Sequence, residues 1–130
     1  MTSQDLSPRP CVVAVDDDIT IRTLIRGILV NHGFDVVVCA NGTEMWDALD
    51  QAQPRVILLD IEMPGEDGLV LAEALRARYG FGVAIIMLTA SDERSAQAMA
   101  HDAGADDYLI KSNDWDRLIN TVHRHAFDHI

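Results

Sequence analysis

Six polar residues stand directly behind short apolar runs: Asp16, Asp17 and Asp18 after Cys11–Val15, Asp60 after 56–59, Thr89 after 83–88, and Lys111 after 108–110. Carboxylates held within a few ångströms of one another raise each other's pKa unless a cation shares the site. A hard divalent ion meets that need, since Mg2+ takes one or two carboxylates plus water and leaves room for phosphate oxygens. A threonine hydroxyl and a lysine ammonium then suit the remaining oxygens of a phosphoryl group. Singly, these residues have ordinary explanations: Asp18 as the N-cap of a following helix, Thr89 as a turn residue, Lys111 as a solvated loop lysine. Their joint placement after separate runs is what points to a site.

For such side chains to meet, the runs must lie side by side and point the same way. The runs are short and rich in β-branched residues, and they alternate with longer stretches of helical period. That alternation predicts a parallel sheet with helices on both faces, and such sheets gather functional groups outside the carboxyl ends of their strands. Ile21, Leu24, Ile25, Ile28 and Leu29 give the first helix an apolar stripe, with Gly33 as its stop. A second strand over 34–39 leads to a helix over 43–51, and residues 56–59 read as a strand buried on both faces. A turn at Met63-Pro64-Gly65 precedes a helix over 67–79 and a strand over 83–88. Ala96, Met99, Ala100 and Ala103 give the fourth helix a thin stripe, and Trp115, Leu118, Ile119, Val122 and Ala126 mark the fifth. The expected fold is α/β with five β-α units. Residues 1–10, with Pro8 and Pro10, read as a flexible leader, 11–127 as the domain, and 128–130 as a tail or the start of a linker.

Composition narrows the possible partners. The chain has 130 residues, 48% of them hydrophobic, enough for one core. Lys and Arg number 10 against 21 Asp and Glu, a formal charge of -11 that repels nucleic-acid backbones and anionic membranes. No run approaches the roughly 18 apolar residues of a membrane span, so a cytoplasmic protein is expected. Cys11 and Cys39 lie in apolar runs without metal-ligand spacing and read as buried free thiols. Trp46 and Trp115 read as partly packed helix residues, and His101, His123, His125 and His129 as helix exterior or tail.

The segments VVAVDDD, VILLDIEMPGEDGL, IIMLTA and GADDYLIK, in that order, resemble the receiver domain of two-component response regulators. The resemblance extends over about 11–127, and DIEMPGEDG matches the family's D-x-x-M-P-x-x-D-G run. It implies a flavodoxin-like, doubly wound (βα)5 fold with a five-stranded parallel sheet. It implies that Asp60 is the phosphoacceptor, that Asp17 and the Glu62 backbone carbonyl bind Mg2+ (or Mn2+) beside Asp60, and that Asp16 acts through a metal-bound water. Thr89 and Lys111 would hold the phosphoryl oxygens, and Tyr108 matches the switch aromatic. The implied donor is the phosphohistidine of a sensor histidine kinase or histidine phosphotransferase. The phosphorylated chain would act on an output protein or domain, and it would not be an enzyme beyond its own phosphorylation and dephosphorylation. GADDYL is also similar to regulators that dimerise on phosphorylation, with Asp106, Asp107, Arg117 and Arg124 as the candidate homodimer face.

Ser112 departs from the family, which has proline after the lysine. A cis bond before serine costs about 2.5–4 kcal/mol against 0.5–1 before proline, so a trans loop is favoured over a strained cis bond. The resemblance puts Glu62 and Ser91 at variable positions that flank the route of attacking water in relatives, where Glu62 could orient water, repel the phosphoryl group or simply be solvated. Two other functions compete. Residues 13–20 also read as hhhDxDxT, the nucleophile motif of haloacid-dehalogenase phosphatases, with Asp16 as nucleophile and Asp18 as acid, although that leaves DIEMPGEDG unused. The other is a receiver-like interaction module that never takes phosphate.

Overall fold

The computed structural model describes residues 9–90, 94–112 and 114–127. Along the chain run β1 (Cys11–Val15), α1 (Ile19–Asn31), β2 (Asp35–Cys39), α2 (Gly42–Leu49), β3 (Val56–Asp60), α3 (Gly68–Tyr79), β4 (Ala84–Thr89), α4 (Arg94–Asp102), β5 (Asp107–Ile110) and α5 (Trp115–Phe127). The strands form one parallel sheet in the order β2-β1-β3-β4-β5.

The alternation of side chains along each strand sorts the core into two clusters. Val12, Ala14, Val56, Leu58, Ile86 and Leu88 pack with α1 and α5 through Ile25, Leu29, Leu118 and Val122. Val13, Val15, Ile57, Leu59, Ile85 and Met87 pack on the other face with Met45, Ala72, Leu75 and Ala100 from α2, α3 and α4. Every residue of β3 and β4 is buried, as expected of central strands covered on both faces. The five β-α units and the doubly wound arrangement read from the sequence are therefore present.

Several details differ. Residues 62–67 are a small antiparallel hairpin, Glu62–Met63 against Glu66–Asp67, where the sequence indicated only a turn. Two-residue strands are too short to show a period. Met99 is 48% exposed, because Ala96 and Ala100 make the buried face of α4, with Ala103 buried just beyond its end. Leu24 is 41% exposed, and Cys11 is only half-buried while Cys39 is buried. His125, expected on the exterior, is partly buried and lies 2.9 Å from Asp107 Oδ2. Ser91 and His129 lie outside the described residues, as do residues 1–8 of the leader and the whole 128–130 tail.

Candidate functional site

Strand register brings the polar residues to one rim. Val15 pairs with Leu59, Asp60 with Leu88, and Thr89 with Ile110. Asp16 and Asp60 thus leave adjacent strands at the same level, with Thr89 and Lys111 one step further along the next two. The strand order changes direction between β1 and β3, which makes this rim the topological switch point, where open α/β sheets bind ligands.

Short bonds hold the loops leaving the strands. The Asp16 N–H donates to the Cys39 carbonyl at 3.0 Å, that of Ile61 to Leu88 at 2.9 Å, and that of Lys111 to Thr89 at 2.7 Å. Arg22 reaches back from α1 to the Asp16 carbonyl at 2.7 Å. Gly68 begins α3 against the β3 exit: a Cβ there would stand 2.8 Å from the Ile61 Cα and closer still to the Asp60 carbonyl oxygen. Only glycine lets this helix approach the strand so nearly.

Asp16, Asp60 and Thr89 are each 1% exposed, whereas Asp17 and Glu62 are exposed at the rim. Carboxylate oxygens of Asp16, Asp17 and Asp60 lie within 4.8 Å of one another. Asp16 Oδ1 accepts from the Asp18 N–H at 2.9 Å, and Asp60 Oδ1 from the Glu62 N–H at 3.1 Å. The other oxygen of each, Oδ2, is buried without a well-directed hydrogen bond. What faces both is the Lys111 ammonium, 2.7 Å from Asp16 Oδ2 and 3.1 Å from Asp60 Oδ2.

Burial, and then the neighbouring Asp16 charge, push Asp60 up from 3.8 to about 6, against the opposing pull of Lys111 and the Glu62 N–H. Burial draws the Lys111 ammonium down, but its bonds and charge contacts with Asp16 and then Asp60 outweigh this, leaving it above its ordinary value. One ammonium therefore only partly compensates two buried carboxylates. These carboxylates and the exposed Asp17 beside them form an oxygen-only donor set that fits a hard divalent cation.

The rim thus brings together Asp16, Asp17, Asp60, Glu62, Thr89 and Lys111. The Lys111–Ser112 bond is trans, in keeping with the lower cost of that form before serine. Tyr108 is half-buried against the cluster on the α2, α3 and α4 side. Asp18 caps α1, accepting from the Thr20 N–H at 2.8 Å, which is the ordinary role for an aspartate there.

Of the four candidate dimer residues, Asp106, Asp107 and Arg124 lie away from the rim. Asp106 turns to Arg76 at 2.7 Å and to the Ile85 N–H at 2.9 Å, at the amino end of the sheet. Asp107 pairs with Arg124 at 2.6 Å, and Arg117 is exposed on the first turn of α5. Sequence inspection missed Arg22, whose contact with a backbone carbonyl leaves no motif, and Glu66, whose carboxylate accepts from the Gly42 N–H.

Comparison with known proteins agrees with this geometry. Residues 12–123 match the family described as response regulator receiver domain. The chain is 37% identical over 116 residues to the DNA-binding transcriptional regulator NtrC of Escherichia coli, covering 89% of this chain and 24% of that protein. It is 35% identical over 103 residues to the DNA-binding response regulator MtrA of Mycobacterium tuberculosis, covering 79% of this chain and 44% of MtrA. The chain thus spans less than half the length of these relatives, 24% of NtrC and 44% of MtrA. Among solved structures, the Thermotoga maritima response regulator TrrA, in complex with Mg2+ and beryllofluoride, superposes with a TM-score of 0.80 at 31% identity, covering 89% of this chain and 98% of TrrA. Vibrio cholerae CheY4, a chemotaxis protein, superposes at 0.84 with 29% identity over 90% of this chain and 98% of CheY4. Asp18, the acid of the phosphatase alternative, is taken up as a helix cap. With a family match over most of its length and the family's acidic rim in place, this chain belongs to the response regulator receiver domains.

Proposed function

We propose that Asp60 accepts a phosphoryl group from the phosphohistidine of a sensor histidine kinase or histidine phosphotransferase. The observation that carries this is the convergence of Asp16, Asp17 and Asp60 within 4.8 Å around two buried, poorly satisfied oxygens. Asp17, Asp60 and the Glu62 carbonyl would hold Mg2+, with Asp16 acting through water; Mn2+ suits the same oxygen donors. The bound cation supplies charge neutralisation for the phosphoryl oxygens.

An Asp60 carboxylate oxygen attacks phosphorus in line, a P–O bond forms, and the P–N bond breaks with its electron pair returning to the donor imidazole. Lys111, freed from Asp16, turns to a phosphoryl oxygen, and Thr89 donates its hydroxyl to another. Hydrolysis later restores the carboxylate, so the chain catalyses only its own modification. The inward pull on Thr89 and Lys111 biases Tyr108 and the surface of α4, β5 and α5 toward an output partner. Since Asp107 already pairs with Arg124 within one chain, a phosphorylation-dependent homodimer through them would exchange that bridge for one between chains. A cytoplasmic location is consistent with the absence of any described helix long and apolar enough to cross a membrane.

Incubation with a labelled phosphohistidine phosphotransferase tests the transfer. Label should move to this chain with Mg2+ present and stay on the donor with EDTA. Transfer that ignores chelation would contradict the proposed cation role, and no transfer from any phosphohistidine donor would contradict the proposed reaction.

A further inference from the structure

The β3–α3 connection carries the Glu62 backbone, and something must hold it still for its carbonyl to serve a cation. One end is fixed by Gly68, packed on the Asp60 carbonyl. The hairpin contributes the Glu62–Asp67 and Met63–Glu66 pairings, but a two-residue ladder is weak by itself. Its outer strand has a further attachment. Glu66 Oε1 accepts from the Gly42 N–H at 2.9 Å, joining the hairpin to the first residue of α2, 24 positions earlier in the chain.

That contact is built from both sides. Asn41 and Glu44 already cap α2, with Asn41 Oδ1 accepting from the Glu44 N–H at 2.9 Å and Glu44 Oε1 from the Ala40 N–H at 2.8 Å. The Gly42 N–H is left over, and a carboxylate on it also meets the positive end of the helix dipole. Gly42 is buried, and a Cβ on it would collide with the Glu66 carboxylate and stand 3.2 Å from Leu71 Cδ2. The space that glycine leaves is the space Glu66 fills.

We propose that Glu66 is a positioning residue for the cation site: by binding the α2 amino terminus it holds the hairpin, and with it the Glu62 carbonyl, at the rim beside Asp17 and Asp60. The inference rests on the cation role proposed above. Its prediction is a specific coupling between residues 42 and 66 that reaches the metal without either touching it.

Calorimetric titration of Mg2+ into the full chain, well below each variant's melting temperature, tests this. Glu66→Ala should weaken Mg2+ binding about five- to ten-fold, the scale of one lost charge-assisted hydrogen bond. Glu66→Gln keeps an acceptor oxygen and should stay within about two-fold of wild type, for the same reason. Gly42→Ala should weaken binding by displacing Glu66, yet add nothing further in the Glu66→Ala background, where its methyl has room. A merely structural Glu66 would lower the melting temperature and leave Mg2+ affinity of the folded protein unchanged, which would overturn the inference alone. Absence of Mg2+ binding by wild type would overturn the cation site, and this inference with it. Should Glu66→Ala not fold, the Gly42→Ala titration decides by itself, with wild-type affinity again the overturning result.

Discussion

Lys111 and Asp16 form a 2.7 Å ion pair between the ends of β5 and β1, strands separated in the sheet by β3 and β4. The lysine spans the rim, touching Asp60 on the way at 3.1 Å. It is the counter-charge that the chain itself brings to these carboxylates, and a cation bound there would compete with it.

Replacing that lysine separates the two effects. Lys111→Ala should lower metal-free stability at pH 7 by about 1–3 kcal/mol, because two buried carboxylates lose the ammonium that faces both of them. It should also tighten Mg2+ binding, since the competitor is gone. Denaturant melts in EDTA and Mg2+ calorimetry on the same variant check both, and weaker Mg2+ binding would contradict the competition.

The sign of the pH dependence follows from Asp60. The folded chain keeps the Asp60 proton up to about 6, whereas the ordinary value is 3.8. The native state therefore binds more protons than the unfolded state between these values, and ionisation opposes folding. In EDTA, Asp60's contribution to stability should fall as pH rises from about 3.8 to about 6 and level off above. Asp60→Asn should remove that slope and melt higher than wild type at pH 7 without metal, while Mg2+ should stabilise only wild type appreciably. Paired thermal melts across this range are the measurement.

Gly68→Ala should cost about 1–3 kcal/mol by forcing a methyl onto the Asp60 and Ile61 backbone. Because the displaced atoms belong to the exit of β3, slower modification of Asp60 by acetyl phosphate should accompany the loss. Chemical denaturation and a phosphorylation time course read the two effects separately.

Arg76 provides the contrast. Its guanidinium donates to the carbonyls of Gly80, Val83 and Gly104 and to Asp106, all at the amino end of the sheet. Arg76→Ala should destabilise the fold by about 2–4 kcal/mol, leaving carbonyls and a carboxylate short of partners. Below its melting temperature, the variant should still be phosphorylated at close to the wild-type rate.

The residues most legible in the sequence were those ending apolar runs, because a strand is recognisable and its carboxyl end marks a position in space. Asp16, Asp60, Thr89 and Lys111 were found in that way. Contacts that close between a side chain and a distant backbone were not legible. Nothing in the order of residues ties Glu66 to Gly42 or Arg22 to the Asp16 carbonyl, because such bonds need one polar atom each and impose no period. The pairings of Asp106 and His125 were hidden for the same reason. Their partners, Arg76 and Asp107, lie 30 and 18 positions away.

The central claim is that Asp60 is the acceptor, and site mapping tests it most directly. Wild-type protein treated with acetyl phosphate and Mg2+, then trapped by borohydride reduction and digested, should carry one modification, on the peptide and residue of Asp60. Asp60→Asn should carry none. Modification of Asp16, or modification that persists in Asp60→Asn at the wild-type level, would contradict the account.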